Sequence, residues 1–267
     1  MGKSQMEAKI QTATDGVVLK SRDIGAATRV LSVLTGKSGL IDVFANGARR
    51  PKSRLAAVAQ PFAYSDFVIS RRKDVCTVEA GEIKHTFYAL REDIRRLSLA
   101  FYLSELTGFL APRPGESGAN PGEYLRLFLN SLYLLETGTR EEAFVRAVYE
   151  LRILAMSGYM PDLVACVSCG VFDGARPVFY PGNGIFLCED CAAAENADRP
   201  AVHISGAVLS AMRHVIYSDF EKIFSFRLSG EALGLFGRAC EAYVTERTER
   251  AFKSLDFYKS VEKSIEV

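Results

Sequence analysis

Four cysteines, arranged as two Cys-x-x-Cys pairs, are the residues of this chain whose types and spacing point most directly to chemistry. The first pair is Cys166 and Cys169, the second is Cys188 and Cys191, and eighteen residues lie between the pairs. Each pair lets two thiolates reach one ion from a tight turn, and Gly170 after the first pair can adopt the positive φ that such a turn uses. The spacing therefore predicts one zinc ion bound by four sulfurs.

A zinc ion with four sulfur ligands has no open position for water or substrate, so we expect this site to be structural. Two disulfides, or four unrelated thiols, are the alternatives. The sequence lacks the apolar run of a signal peptide and any apolar run long enough to span a bilayer, so we expect a cytoplasmic protein with reduced thiols. Cys76 and Cys240 lie inside apolar patterns and are expected to be small buried hydrophobes.

Other motifs that could carry catalysis are incomplete. Thr35-Gly36-Lys37-Ser38 resembles the end of a phosphate-binding loop, but Leu31 stands where that pattern needs Gly. The histidines share no metal-binding spacing, and the helical zinc-protease motif and the hydrolase nucleophile elbow are absent from the sequence. We predict that the chain is not an enzyme, and the closed four-sulfur site argues against a zinc-ribbon enzyme as well.

Basic residues are concentrated in the first third of the chain. Residues 1–84 hold 14 Lys/Arg and 8 Asp/Glu, although the net charge of the whole chain is only +1. Lys and Arg neutralise nucleic-acid phosphates irrespective of sequence and give salt-sensitive binding, whereas the alternative is a set of solvated loops. The predicted DNA-binding residues are Lys37, Arg49, Arg50, Lys52, Arg54, Arg71, Arg72 and Lys73.

Aromatic residues near these cations are candidates for stacking on bases. Phe62, Tyr64 and Phe67 follow the first basic cluster in the sequence. Strand alternation places Phe62 and Tyr64 on one face and Phe67 on the other, so at least one of the three belongs to the core.

Five short segments rich in Val, Ile, Leu and Phe predict the strands that must position the basic residues. Turn residues separate them, including Gly36-Lys37-Ser38-Gly39 as a hairpin, and we expect a short helix within residues 51–60. Three strands, a short helix and two strands are the element order of an OB-fold barrel. The predicted strands cover residues 16–20, 29–34, 40–45, 62–71 and 75–84.

After residue 90 the apolar spacing becomes helical. One face holds apolar residues that we expect to be core, and Asn120-Pro121 begins a second helix. The residues of that face are Ile94, Leu97, Phe101, Leu106, Phe109 and Leu110. Thr139 to Glu142 fits a capping box, Gly158 is expected to end that helix, and Ser205 is expected to cap a later one. The predicted class is α+β: an OB-fold domain (residues 1–84) and an α-helical domain (85–160 and 196–267) with an inserted zinc ribbon (161–195).

Several motifs, in a fixed order along the chain, resemble those of a known family. They are Thr35-Gly36-x-x-Gly39, Gly47-Ala48-Arg49-Arg50-x-Lys52-Ser53 followed by Gln60-Pro61-Phe62, the four-cysteine ribbon, and Arg250-x-x-Lys253-Ser254. Together they are similar to the RecO family of bacterial recombination mediators, and the resemblance covers nearly the whole chain. Asn46 stands where many members have Lys, which removes one possible phosphate contact.

The resemblance implies an OB-fold followed by a helical domain that carries the zinc ribbon. It implies binding to single- and double-stranded DNA and annealing of complementary strands. It also implies work with RecR to load RecA onto DNA coated by the single-stranded-DNA-binding protein SSB, whose acidic C-terminal tail family members bind through the helical domain.

A second function stays open, that of a non-enzymatic adaptor that acts mainly through contacts with the SSB tail and RecR and binds little DNA itself. An acidic tail with apolar side chains would need a groove lined by Leu or Phe and rimmed by Arg or Lys. Arg126 and Arg152 are candidates for that rim.

Overall fold

The computed structural model of the chain describes residues 10–173, 176–195, 199–228 and 230–265. The chain divides into two compact units, residues 1–136 and residues 137–267. Within the described residues, no helix is both long enough and apolar enough to cross a membrane.

The first unit begins with a closed five-stranded barrel. Its strands are β1 (Ile10–Ile24), β2 (Thr28–Thr35), β3 (Gly39–Ala45), β4 (Tyr64–Arg72) and β5 (Val75–His85). The strand order around the barrel is β1-β2-β3-β5-β4, in which β3 and β5 are parallel and every other pair is antiparallel. This is the OB-fold arrangement that the sequence predicted.

One long strand closes the barrel because its two halves pair with different neighbours. The first half of β1 pairs with β4 and the second half with β2, and the register with β2 shifts between Val18 and Lys20. Gly16 lies where the two pairings meet, and a Cβ there would come within 2.9 Å of the Leu34 carbonyl oxygen. The barrel core is formed by alternate apolar side chains, among them Val18, Leu31, Val33, Val43, Ala45, Phe67, Ile69 and Val78.

The segment between β3 and β4 is a series of turns, so the helix expected within residues 51–60 is wrong. Pro51 has no amide hydrogen to donate, and Lys52 has a positive φ of 63°. The Ser53 hydroxyl accepts a hydrogen bond from the Leu55 amide at 3.2 Å, which competes with a helical ladder. The apolar residues here still pack on the barrel, because Val58 and Ala59 are buried.

Two helices complete the first unit, α1 (Ile94–Leu110) and α2 (Pro121–Thr137), after a short 3-10 turn at Tyr88–Glu92. The Asn120 side chain accepts a hydrogen bond from the Gly122 amide at 3.1 Å, so α2 begins as predicted. The core assignment for α1 was partly wrong. Leu106 is buried as predicted, but Ile94, Phe101 and Phe109 are 51%, 42% and 45% exposed. Other buried positions of α1 include Leu99, Tyr102 and Leu103.

The second unit is helical and contains a small three-stranded sheet. Its elements are α3 (Glu142–Met156), β6 (Val178–Tyr180), β7 (Ile185–Leu187), α4 (Glu189–Glu195), β8 (Val202–His203), α5 (Gly206–Tyr217), α6 (Gly230–Thr248) and α7 (Lys253–Ile265), with a 3-10 turn at Phe220–Lys222. The strand order of the sheet is β7-β6-β8. Helices α3 and α6 pack against each other, and α5 packs against both. The sheet and the short helix α4 lie between α3 and α5 in the sequence, so the unit is a helical domain with an inserted ribbon, as predicted.

Two of the three predicted helix ends in this unit are confirmed. The Ser205 hydroxyl accepts from the Val208 amide at 3.3 Å, and Gly158, with φ of 88°, follows the end of α3. The capping box is wrong, because Glu141 is the N-cap of α3 and makes no side-chain capping bond. The Thr139 hydroxyl instead lies 3.0 Å from the Thr137 hydroxyl.

A charged network joins three helices of this unit. Arg146 of α3 bonds through one terminal nitrogen to Glu150 at 3.2 Å and to Glu241 of α6 at 2.9 Å. Lys259 of α7 forms an ion pair with Glu241. Glu150 is fully buried, so its charge depends on this network for compensation.

Candidate metal centre and nucleic-acid surface

The two cysteine pairs come together at the base of the ribbon. The four Sγ atoms of Cys166, Cys169, Cys188 and Cys191 all lie within 4.8 Å of one another, and those of Cys169 and Cys188 are 3.6 Å apart. Four sulfurs at about 2.3 Å from a tetrahedral zinc would be separated by about 3.8 Å. The cysteines are free thiols, so the structure favours a shared metal site over the two-disulfide alternative.

Tight backbone turns position the sulfurs. The Gly170 amide donates to the Cys166 carbonyl at 2.8 Å, and Gly170 has the positive φ, 76°, that its sequence position predicted. The Cys166 amide donates to the Val171 carbonyl at 2.9 Å, which closes the first turn. In the second pair, Cys188 directly follows β7 and Cys191 lies in α4. A strand end and a helix start therefore present these two sulfurs to the first turn.

The electrostatics of the cluster suit a cation. Burial opposes ionisation of the Cys166 thiol, but backbone amides, including that of Cys188 at 3.3 Å, lower its pKa to about 6. A hydrogen bond with Ser168 lowers the pKa of Cys191, but the sulfurs of Cys188 and Cys169 outweigh it and raise that pKa to about 12. Four thiolates this close repel one another, so a divalent ion that neutralises them would stabilise the cluster.

Arg49, the first cation of the predicted DNA-binding segment, is largely engaged within the barrel. Its Nε lies 3.1 Å from the Asp23 carboxylate, and a terminal nitrogen donates to the Gly25 carbonyl at 2.5 Å. Its backbone amide donates to the Ala27 carbonyl at 3.1 Å. Arg49 therefore attaches the segment after β3 to the hairpin between β1 and β2, and much of its charge is compensated by Asp23.

Three further cations of this segment are exposed. The side chains of Arg50, Lys52 and Arg54 extend into solvent, and no hydrogen bond or ion pair with the described part of the chain engages their charged groups. We call these three residues the basic loop. Their charge is available to an anionic partner.

The remaining predicted cations lie at the other end of β3. Lys37 is in the β2–β3 hairpin and donates to the Ala13 carbonyl at 2.7 Å, while Arg71 donates to the Lys73 carbonyl at 3.0 Å. Because β3 and β5 run parallel, with Phe44 opposite Thr77, the β4–β5 turn lies beside the start of β3 and the basic loop follows its end. The two groups are about 20 Å apart along a strand of this length. A nucleic acid that touches both would run the length of β3.

The aromatic residues proposed for stacking are mostly core. Phe67 is 1% exposed and belongs to the barrel interior, and Phe62, also 1% exposed, packs on Phe101 with ring centroids 4.9 Å apart. Tyr64 is half-buried and donates to the Asp15 carboxylate at 3.0 Å. Burial, followed by this contact with Asp15, raises the pKa of Tyr64. Phe62 and Phe67 therefore cannot stack on a base.

A different aromatic residue, Phe44 on β3, is exposed but was not among the residues predicted to stack on bases. Its side chain is 36% exposed, whereas its neighbours Val43 and Ala45 are buried in the core. The signal was present in the sequence, because strand alternation that directs Val43 and Ala45 inward directs Phe44 outward.

Comparison with known proteins identifies the family. Residues 6–87 match the family described as "Recombination protein O N terminal" and residues 91–256 match "Recombination protein O C terminal". The chain belongs to the RecO family. The basic loop lies inside the N-terminal match of this RecO chain, and the cysteine cluster lies inside the C-terminal match.

Relatives from the same family align with almost the full length of the chain. The DNA repair protein RecO of Acetivibrio thermocellus is 34% identical over 254 residues, which is 94% of this chain and 97% of the relative. That of Symbiobacterium thermophilum is 34% identical over 246 residues, or 91% of this chain and 94% of the relative. That of Bacillus subtilis is 29% identical over 252 residues, or 94% and 95% respectively.

Proposed function

We propose that the chain is a cytoplasmic DNA-binding recombination mediator in DNA repair and that it catalyses no covalent step. The observation that carries this proposal is the basic loop, three uncompensated cations on an OB-fold barrel in a member of the RecO family. Its relatives are named DNA repair protein RecO, which supports a role in DNA repair.

The proposed mechanism is charge neutralisation. Cations of the basic loop, together with Lys37, Arg71, Arg72 and Lys73, would bind phosphates of single- or double-stranded DNA. Two strands held on one cationic surface repel each other less, which would allow complementary bases to pair and the strands to anneal. The protein's contribution is electrostatic and positional, so no catalytic residue is required. Arg49 would act mainly by positioning the basic loop, because it is already bound to Asp23.

The proposed partners are RecR, the SSB C-terminal tail and, through them, RecA. Together they would load RecA onto single-stranded DNA coated with SSB. Arg152, a candidate for tail binding, donates to the carbonyl oxygens of Val215 and Ile216 at 3.0 and 2.8 Å, so its part in the fold is to hold the end of α5. Arg126 borders a cavity of about 410 Å³ whose wall includes Leu125 and Leu129, a lining that suits an apolar, acidic peptide.

We also propose that the metal is one structural zinc ion per chain, held by Cys166, Cys169, Cys188 and Cys191. Four thiolates form a set of soft ligands that selects zinc in a tetrahedral site and leaves no position for a reactant. The domain limits proposed are those of the sequence: residues 1–84 for DNA binding, 85–160 with 196–267 for the helical domain, and 161–195 for the ribbon.

Charge reversal of the basic loop tests the DNA-binding proposal. The variant Arg50→Glu/Lys52→Glu/Arg54→Glu should bind single-stranded DNA about 100-fold more weakly at 0.1 M salt. Each lost phosphate contact should lower the salt slope, which is the steepness with which log affinity falls with log salt concentration, by about 0.7. Fluorescence anisotropy across a salt series measures both quantities. An unchanged affinity and slope with an intact fold would refute the proposed surface.

A matched control separates the site from net charge. Arg227→Glu/Arg238→Glu/Lys263→Glu makes the same change in charge at exposed positions of the second unit. We expect its affinity for DNA to fall far less than that of the basic-loop variant. Equal losses in both variants would show that only overall charge matters.

The adaptor function is a second candidate because α1 exposes an apolar stripe. Ile94, Phe101 and Phe109 are all more than 40% exposed, and such stripes are typical of protein contacts. The two functions differ on bare DNA. A mediator binds and anneals strands without partners, whereas an adaptor binds the SSB tail peptide but neither binds nor anneals bare DNA.

A further inference from the structure

The outer surface of β3 carries one aromatic side chain, that of Phe44, which is the penultimate residue of the strand. Val43 and Ala45 point into the barrel core, so Asp42 and Phe44 lie on the outside. The direct cross-strand partners of Phe44 are Val30 of β2, which is 6% exposed, and Thr77 of β5. Phe44 itself keeps 36% of its surface exposed. A phenyl ring is therefore accessible on the outer surface of the barrel, near the end of β3 that leads to the basic loop.

Two cations lie on the same surface, two strands further on. Arg22 of β1 is the register partner of Val30, and Lys20 is the partner of Ser32. Arg22 therefore stands in the same cross-strand row as Phe44, about 10 Å from it at two inter-strand spacings. Both cations are exposed, and neither forms an ion pair or side-chain hydrogen bond with residues the structure describes. We call Lys20, Arg22, Val30, Phe44 and Thr77 the Phe44 face.

Two carboxylates near this surface accept hydrogen bonds from neutral serine hydroxyls and keep their negative charge. The Asp42 carboxylate accepts from the Ser32 hydroxyl at 2.6 Å, and the Glu79 carboxylate accepts from the Ser70 hydroxyl at 2.6 Å. Arg72, the register partner of Val75, adds a cation on the opposite side of Phe44. The ring thus has cations on both sides.

We propose that the Phe44 face binds one unpaired nucleotide base of single-stranded nucleic acid, with the ring stacked on the base and Arg22 and Lys20 on the adjoining phosphates. This inference rests on the proposed DNA-binding function and adds to it a selectivity for single strands over duplexes. A base exposes its flat face only when it is unpaired and unstacked, so a phenyl ring cannot bind the interior of a duplex in this way. The basic loop contacts phosphates, which single strands and duplexes both offer.

Replacing the ring at constant charge tests the proposal. Phe44→Leu keeps an apolar side chain over the sheet but removes the stacking surface. Its affinity for oligo-dT should fall by about tenfold to a hundredfold, the usual effect of losing one base–aromatic stack, while its affinity for a duplex and its salt slope stay unchanged. Phe44→Tyr, which keeps the ring, should retain the affinity for oligo-dT. Equal losses for oligo-dT and duplex, or no loss for either, would overturn the proposal.

A fluorescent variant reports contact directly. The chain contains no tryptophan, so Phe44→Trp introduces a single indole. Oligo-dT should quench its emission by stacking, whereas the emission of a Tyr88→Trp control, at a 67% exposed position outside this surface, should change little. An indole at position 44 that is not quenched while oligo-dT is bound would place the strand elsewhere.

The outcomes separate this inference from the function on which it rests. If the wild-type chain binds oligo-dT, the basic-loop variant does not, and Phe44→Leu binds as the wild type does, the proposed function stands and the Phe44 face is wrong. If Phe44→Leu binds oligo-dT normally but loses a protein partner, the face is a protein contact and the inference is also overturned. If the wild-type chain binds no DNA, both fail.

Discussion

Arg146 offers the sharpest stability test, because it sits between two carboxylates in the helical unit. Its side chain is 12% exposed, and the Glu150 side chain that it bonds is fully buried. Arg146→Met keeps most of the apolar stem but removes the guanidinium. The carboxylates of Glu150 and Glu241 then lose the cation that they share, although Lys259 still pairs with Glu241.

The expected cost follows from these contacts. Removing one partner of a buried ion pair destabilises a protein by about 3–5 kcal/mol, against a total stability of about 5–15 kcal/mol. For a unit of this size about 1 kcal/mol corresponds to about 3–4 °C, so the unfolding midpoint should fall by about 9–20 °C.

Thermal unfolding followed by circular dichroism or calorimetry measures this shift. Arg227→Met is the matched control, since Arg227 is exposed, and its midpoint should move by less than about 2 °C. A midpoint for Arg146→Met within that same range would refute the assignment of a stabilising role to this network.

Other changes probe the metal site and two local structures. Metal analysis of the wild-type protein should return one zinc per chain. The variant Cys166→Ser/Cys169→Ser should contain no zinc, and its ribbon should lose resistance to proteases. Wild-type protein that is purified without chelator and contains no metal would contradict the assignment. Ser205→Ala should cost about 1 kcal/mol in urea unfolding through loss of the α5 cap, and Ser205→Asp should restore it. Gly184→Ala should cost more, about 1–3 kcal/mol by the same measurement, because Gly184 has φ of 66° and its new Cβ would lie 2.7 Å from the Tyr243 hydroxyl. Equal stability of either variant and the wild type would show that the cap or the close approach contributes nothing.

Local signals in the sequence were sufficient for the barrel and for the cysteine site. Alternating apolar residues and turn glycines predicted the five strands, because both depend on neighbours only a few residues away. The cysteine pairs were equally readable, since each pair lies within one turn. In contrast, residues 51–60 carry helix-forming alanines, and the sequence could not show that Lys52 would adopt a positive φ.

Features that depend on distant residues escaped prediction. The Arg49 side chain is bound to Asp23, which is brought near only when β1, β2 and β3 assemble. The charge of Arg49 is therefore less available to DNA than the sequence predicted. Helical spacing placed Ile94 and Phe101 on one face but could not tell whether that face is covered. Phe44 was missed although the strand alternation that directs it outward depends only on its neighbours Val43 and Ala45.

The position of the ribbon between α3 and α5 affects how the helical core can assemble. These two helices pack together, yet about 50 residues separate the end of α3 from the start of α5. A metal that joins Cys166 to Cys191 would shorten the chain path between α3 and α5 to about half. Halving the length of a loop lowers the entropic cost of closing it by only about 0.6 kcal/mol. Metal binding therefore does little to lower the entropic cost of bringing α3 and α5 together. Helical packing should tolerate ribbons of different lengths, provided that the chain returns to the place from which it left.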